Sequence, residues 1–256
     1  MIRLFRKIRQ QLLSEYNYSI YILYACGEIV LVVIGILIAL QINNWNEHRK
    51  EKAVELELLK SLKDEITANI EQLNSGINVH RASKEMCVSV LQHFGDPNRT
   101  INYEVLDSLV ENISVPFAVN LKKGIVKSII ATGDLKYIEN ELIVEFVTVF
   151  EDRIKETNDD LNRLKRIYEG LLWPLENKYI RRMNRALKLQ EWFGYKIPNR
   201  GYSSDYDSFF SDILLENTYM LTLYEQSDLI DGEELLLKHM ESALELVKNE
   251  LFYRNT

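Results

Sequence analysis

The chain has 256 residues, 46% hydrophobic and 27% charged, with 31 Lys and Arg against 38 Asp and Glu for a net charge of −7. An acidic surface repels phosphates, which excludes a nucleic-acid role. Only four prolines and ten glycines, among many Leu, Ile, Glu, Lys and Asn, favour helices over sheets.

Residues 1–13 place Met1, Leu4, Phe5, Ile8 and Leu12 at helical spacing with Arg3, Arg6, Lys7 and Arg9 between them. This pattern predicts a short basic helix lying on lipid headgroups. A signal peptide is the alternative. The apolar run that follows is too long for a signal core, and Leu40-Gln41-Ile42 offers no small-residue cleavage site, so the segment is expected to stay attached.

Residues 20–42 form that run, broken by one acidic side chain, Glu28. At 1.5 Å per residue it gives roughly 34 Å of helix, against a hydrocarbon core of about 30 Å. Basic residues ahead of the span put residues 1–19 in the cytoplasm and everything after Asn43 outside it. Arg49, Lys50 and Lys52 oppose this orientation, although Glu47 and Glu51 are interleaved with them. Tyr21 and Tyr24 at one end and Trp45 at the other match the aromatic belts of a spanning helix. At 100° per residue Gly35 and Ala39 fall on the same face as Glu28. A carboxylate left facing lipid costs several kcal/mol, and Gly35-x-x-x-Ala39 is a spacing that lets helices approach closely. This face is therefore expected to be buried against another membrane helix, from a second copy or a different protein. Cys26 lies in the span and Cys87 beyond it, so the two are not expected to pair.

The run Gly27-Glu28-Ile29 through Val33-Ile34-Gly35-Ile36-Leu37-Ile38-Ala39-Leu40-Gln41-Ile42-Asn43-Asn44-Trp45-Asn46-Glu47, with the opening Phe5-Arg6-Lys7-Ile8-Arg9-Gln10, carries a resemblance. It resembles an uncharacterised family of single-pass membrane proteins abundant in Bacteroidetes, domain of unknown function family 6090. Residues 58–66 and 131–140 look like two further patterns of that family. The resemblance implies a Gram-negative inner membrane and a periplasmic domain, and it carries no known activity or catalytic residues.

Beyond Trp45 the helix is expected to continue as a stalk, with Leu59, Leu62, Ile66, Ile70, Leu73 and Ile77 forming one apolar stripe. A coiled coil between copies would use the same stripe, but its length suits packing within the chain. Asn74-Ser75-Gly76 predicts a bend or an end, and Ser83 to Phe94 a second helix stopped by Gly95-Asp96-Pro97-Asn98. Short helices are predicted over Tyr103 to Ile113 and Lys122 to Ala131. A long helical tract is predicted from Glu139 to Asn184, with a new helix or a kink at Pro174. Trp192 to Tyr206 is irregular. Trp192, Tyr195, Arg200 and Tyr202 suit a binding loop, and they suit equally a loop pinned to the bundle by its own rings, which is the expectation. Phe209 to Tyr224 and Gly232 to Phe252 close an all-α architecture of one transmembrane helix followed by a helical-bundle domain outside the cytoplasm.

Chemistry is thinly marked. His48, His80, His93 and His239 are scattered without a zinc-type spacing and are expected at the surface, and Asp159-Asp160 is expected on a solvated helix face. No glycine-rich phosphate loop or Gly-x-Ser-x-Gly elbow is present, so neither a cofactor nor an enzymatic role is expected. Three functions follow. The first is a scaffold assembling through the Glu28, Gly35 and Ala39 face. The second is an ion-coupled, stator-type subunit using Glu28. The third is a ligand-sensing module, with only nineteen residues inside to pass a signal on.

Overall fold

The computed structural model describes residues 18–183, 194–196, 198 and 202–255. The basic segment with Arg3, Arg6, Lys7 and Arg9 lies outside them, as do Trp192 and Arg200. The described residues are helical, with no strand among them. Two compact units divide at residue 57, Met1–Glu57 and Leu58–Thr256.

Helix α1 spans Tyr18–Leu91, 74 residues. In the first unit it contains a stretch long and apolar enough to cross a membrane. Every residue from 26 to 54 is exposed, whether Ile, Val and Leu or Glu28.

In the second unit α1 is joined by α2 (Tyr103–Ile113), α3 (Gly124–Thr132) and a 3-10 turn over Asp134–Tyr137. Then come α4 (Glu141–Ile167), α5 (Trp173–Glu176), α6 (Tyr206–Ser211) and α7 (Ile213–Asn255). Helices α4 and α7 run antiparallel, because Asn140 meets Glu250 while Arg163 meets Glu225. Helix α1 also opposes α7, with Arg81 on Glu234 and Cys87 at the carbonyl of Tyr219. Of the expected stripe on α1, Leu59, Leu62, Ile66, Leu73 and Ile77 are buried and Ile70 is half-buried; Ile143, Phe146, Val147, Phe150 and Ile154 on α4 and Leu236, Met240, Val247 and Leu251 on α7 are buried as well. Burying such side chains supplies the main stabilisation of a helical bundle.

Two expected breaks are absent. Helix α1 runs through Asn74-Ser75-Gly76, because Gly76 is where the bundle needs no side chain: a Cβ there would stand 2.1 Å from Cγ2 of Val119. Helix α7 likewise runs unbroken through Gln226 to Gly232, and a Cβ at Gly232 would come 3.0 Å from Asp160 Oδ2. Glycine costs a helix about 1 kcal/mol, less than the packing that a close approach secures. The break that was expected near Gly232 lies instead at Asp212, which caps α7 by accepting from the N–H groups of Leu214 (2.8 Å) and Leu215 (3.3 Å).

The expected stop after α1 is present. The chain turns at Gly95, φ 69°, whose N–H donates to the Phe210 carbonyl at 3.0 Å. Before Pro174 the helix widens into a π-turn over Tyr168–Leu172, where the Trp173 N–H reaches back to the Tyr168 carbonyl. Proline has no N–H, and its ring clashes with an ordinary α-turn, so the wider turn absorbs it.

Candidate functional site

Between α2 and α3 the chain from Ser114 to Lys123 is an irregular strap lying on α1 of the second unit. Polar residues of α1 hold this strap and its two ends by the backbone. Glu65 accepts from Ile125 N (2.9 Å) and Val126 N (3.2 Å), capping α3, whose own N-cap residue Lys123 makes no side-chain cap. Asn69, fully buried, donates to the Lys122 carbonyl and accepts from the Lys122 N–H, both at 2.7 Å. Gly76 admits Val119. His80 binds the Phe117 carbonyl at 2.9 Å through Nε2, and Ser83 donates to the Ile113 carbonyl at 2.8 Å. Positions 65, 69, 76, 80 and 83 recur at helical spacing, so one stripe of α1 reads one stretch of irregular chain.

His80 is a correction to the surface placement expected for all four histidines. It is 6% exposed, and Nδ1 lies 2.8 Å from Oε2 of Glu233, itself buried on α7. A carboxylate on one nitrogen and a carbonyl on the other favour the protonated ring, in which both nitrogens donate. Burial opposes that charge, but Glu233 and the Phe117 carbonyl outweigh it and raise the pKa above the ordinary histidine value. Asp160 is also drawn inward, pairing with Arg163 at 2.8 Å. Asp159 stays exposed.

Above this pair lies a pit of about 260 Å³. Its rim carries exposed apolar side chains, Val79 on α1 and Val115 and Phe117 on the strap. Its floor is Leu161, Leu164 and Leu229. His80, Asn112, Ser83, Tyr168 and Gln226 supply the polar lining, and Gln226 Nε2 donates to Ser83 Oγ at 2.8 Å and to Tyr168 Oη at 3.0 Å.

A second buried group lies elsewhere in the same unit. Glu176 is 1% exposed, accepting from Tyr219 Oη at 2.6 Å and from Arg182 Nη2 at 3.2 Å. Burial pushes its carboxyl up to about 7, against the pull of Tyr219 and Arg182. Cys87 beside it is also buried, its thiol pushed up to about 12 by desolvation and then by Glu176, so it is a packing residue of the core.

Glu28, Gly35 and Ala39, expected on a helix-pairing face, lie in the first unit, all three exposed, and a Cβ on Gly35 would meet nothing within 4 Å. Trp45 is exposed. Tyr21 and Tyr24 belong to α1, but their side chains are outside the described residues. Of the proposed binding loop, Tyr195 and Tyr202 are both highly exposed, and Tyr202 lies against the Arg181 guanidinium, 5.9 Å from ring centre to Cζ. The ring that pins the loop's end is Tyr206, stacked on Tyr103 at 4.1 Å with its hydroxyl on Asp107. Among the described residues no group of three or more His, Cys, Asp or Glu is placed to hold a metal ion.

The sequence did not mark Asn69, Gln226, Glu176 or Glu233. A polar residue inside an apolar helical stripe is the signal that could have found Asn69, which interrupts the stripe one position before Ile70.

Residues 28–116 are similar to a family of unknown function (DUF6090). No curated protein and no solved structure matches the chain.

Proposed function

We propose that this chain is a single-pass, membrane-anchored interaction protein. Residues 20–42 cross a bacterial inner membrane with the N-terminus in the cytoplasm, and the helical bundle stands in the periplasm. Its role is assembly rather than catalysis: the Glu28, Gly35 and Ala39 face seats against a second membrane helix. One observation carries this reading. The apolar side chains of residues 26–42 are all exposed, and the one carboxylate among them shares its helix face with the two small residues. A continuous apolar surface of that extent needs lipid or a partner over it, and the carboxylate needs company within lipid.

A thiol-reactive photocrosslinker on Gly35→Cys, in a Cys26→Ser background and in native membranes, tests the reading. Cys87 is buried and does not compete for the reagent. The expected product is an adduct with a second copy or with another membrane protein. Recovery of the labelled monomer alone after irradiation overturns the pairing, and protection of residues beyond 43 in protease-treated spheroplasts overturns the orientation.

A further inference from the structure

The first three turns of α7 show an apolar face to solvent. Ile213, Leu214, Met220, Leu221 and Tyr224 are 72%, 56%, 52%, 40% and 65% exposed. At 100° per residue all five fall within about 60° of Asn217 on the helical wheel, while Leu215, Tyr219 and Thr222 hold the opposite side in the core. Apolar side chains scattered singly over a surface need no explanation, but a contiguous patch marks a contact. Fully covered, this one removes roughly 600 Å² from water on each of two copies. The total of about 1,200 Å² is at the lower end of the range for specific interfaces between proteins.

Asn217 sits exposed at the centre of the patch. The other polar residues of the stretch are Glu216 at its edge, Thr218 and Thr222, both buried, and the two tyrosines. An amide inside an apolar contact needs an acceptor and a donor opposite it, and a purely apolar partner leaves both groups unsatisfied. A second Asn217 supplies both, because across a two-fold axis each amide donates to the carbonyl of the other. One asparagine within an apolar stripe sets register and copy number in paired helices by this means. The acidic groups nearby do not oppose the contact. Asp212 is tied to the Tyr179 hydroxyl at 2.7 Å, and Glu225 to Arg163 at 3.3 Å. Asp228 and Asp231 lie about 16 and 21 Å along the helix from Asn217, so a crossing of about 50°, the commonest for packed helices, carries them away from their counterparts.

We propose that a second copy of this chain covers the face, the two α7 helices crossing about a two-fold axis beside Asn217. The contact is made entirely within the second unit. It goes beyond the pairing through residues 20–42 and does not depend on it.

Oxidative crosslinking of the full-length protein in native membranes tests this. Asn217→Cys in a Cys26→Ser background is treated with copper phenanthroline; Cys87 is buried and does not compete. The axis brings position 217 against its own counterpart, so a disulfide-linked homodimer is expected. Asn158→Cys, exposed on α4 and 59 positions away, is expected to stay monomeric and controls for random collision. Adding Met220→Glu sets two carboxylates in the contact and is expected to lower the yield of the 217 dimer at least tenfold, whereas Met220→Leu keeps it. Met220 is half exposed, so the melting temperature of the bundle is expected to stay within a few degrees in both variants. No dimer at 217, equal dimer at 158, a 217 adduct to a different protein, or a Met220→Glu yield equal to that of Met220→Leu would each overturn the proposal. The outcome is separate from that at Gly35. A dimer at 217 without an adduct at 35 removes only the pairing through the span, and the reverse result removes only this contact.

Discussion

Asn69 grips the peptide of Lys122 at both ends, Nδ2 on the carbonyl and Oδ1 on the N–H, each at 2.7 Å. The contact reproduces a rung of a β-ladder with a side chain, and it fixes the register of the strap on α1. Asn69→Leu keeps the size but leaves a part-buried backbone donor and acceptor without partners. At about 1–3 kcal/mol for each unsatisfied group, the variant is expected to lose roughly 2–6 kcal/mol. Denaturant unfolding measures this, and a loss below about 1 kcal/mol would show that water replaces the side chain.

Gly76 makes the complementary test, since what matters there is an absent side chain. Gly76→Ala drives its Cβ into Val119, and overpacking of a close contact costs about 1–3 kcal/mol, more than the helix propensity gained. Val119→Ala restores the space, so the double variant is expected to be more stable than Gly76→Ala alone. A Gly76→Ala protein as stable as its parent would mean that the strap shifts freely. Gly35→Ala, with nothing within 4 Å, should leave the folding of the bundle unchanged.

These two residues show what the sequence disclosed and what it withheld. Apolar periodicity is a local property, and it located most of the inward stripe of α1. Glycine is ambiguous locally: at 76 and 232 it reads as a helix breaker, and only the neighbours Val119 and Asp160, distant in sequence, decide that it is a packing device. His80 and Glu233 are 153 positions apart, so no spacing motif links them, and an isolated histidine reads as a surface residue. The pit was invisible for the same reason, because its walls come from α1, the strap, α4 and α7. The long apolar stretch of α1 and its acidic residue were legible because hydropathy needs no partner to be read. Part of the aromatic loop, Trp192 and Arg200 included, lies outside the described residues, and its rings at 195 and 202 are exposed while Tyr206 does the anchoring.

Acid–base behaviour gives a third expectation. The folded-state pKa of Glu176 is raised from 4.5 to about 7 by burial, so the folded protein holds a proton that the unfolded chain releases between those values. Folding stability therefore falls as pH rises through that window. The ceiling on the loss is about 3 kcal/mol, reached above pH 7. His80 acts in the same direction, because its raised pKa contributes stability that is present below 6.5 and lost as pH climbs past the folded value. The full-length protein in nanodiscs is thus expected to melt at a lower temperature at pH 8 than at pH 5. Glu176→Gln keeps an acceptor for Tyr219 and has no carboxylate to ionise, so it should remove at least half of that fall. An unchanged pH dependence in this variant would assign the effect elsewhere.

Replacing Glu28 distinguishes pairing from ion coupling. In the proposed pair the Glu28 carboxyl hydrogen-bonds across to the neighbouring helix, a contact worth about 1–2 kcal/mol in model helices. Glutamine retains both a donor and an acceptor at that place, whereas leucine retains neither. With the photocrosslinker at position 35, Glu28→Gln is expected to keep most of the adduct and Glu28→Leu to lose about tenfold of the paired population, as an energy of that size dictates. If the pair forms equally well with leucine, the carboxyl contributes nothing to assembly. In that case a proton-linked role for Glu28 gains weight, and the decisive measurement becomes proton flux through reconstituted vesicles, with Glu28→Gln abolishing it.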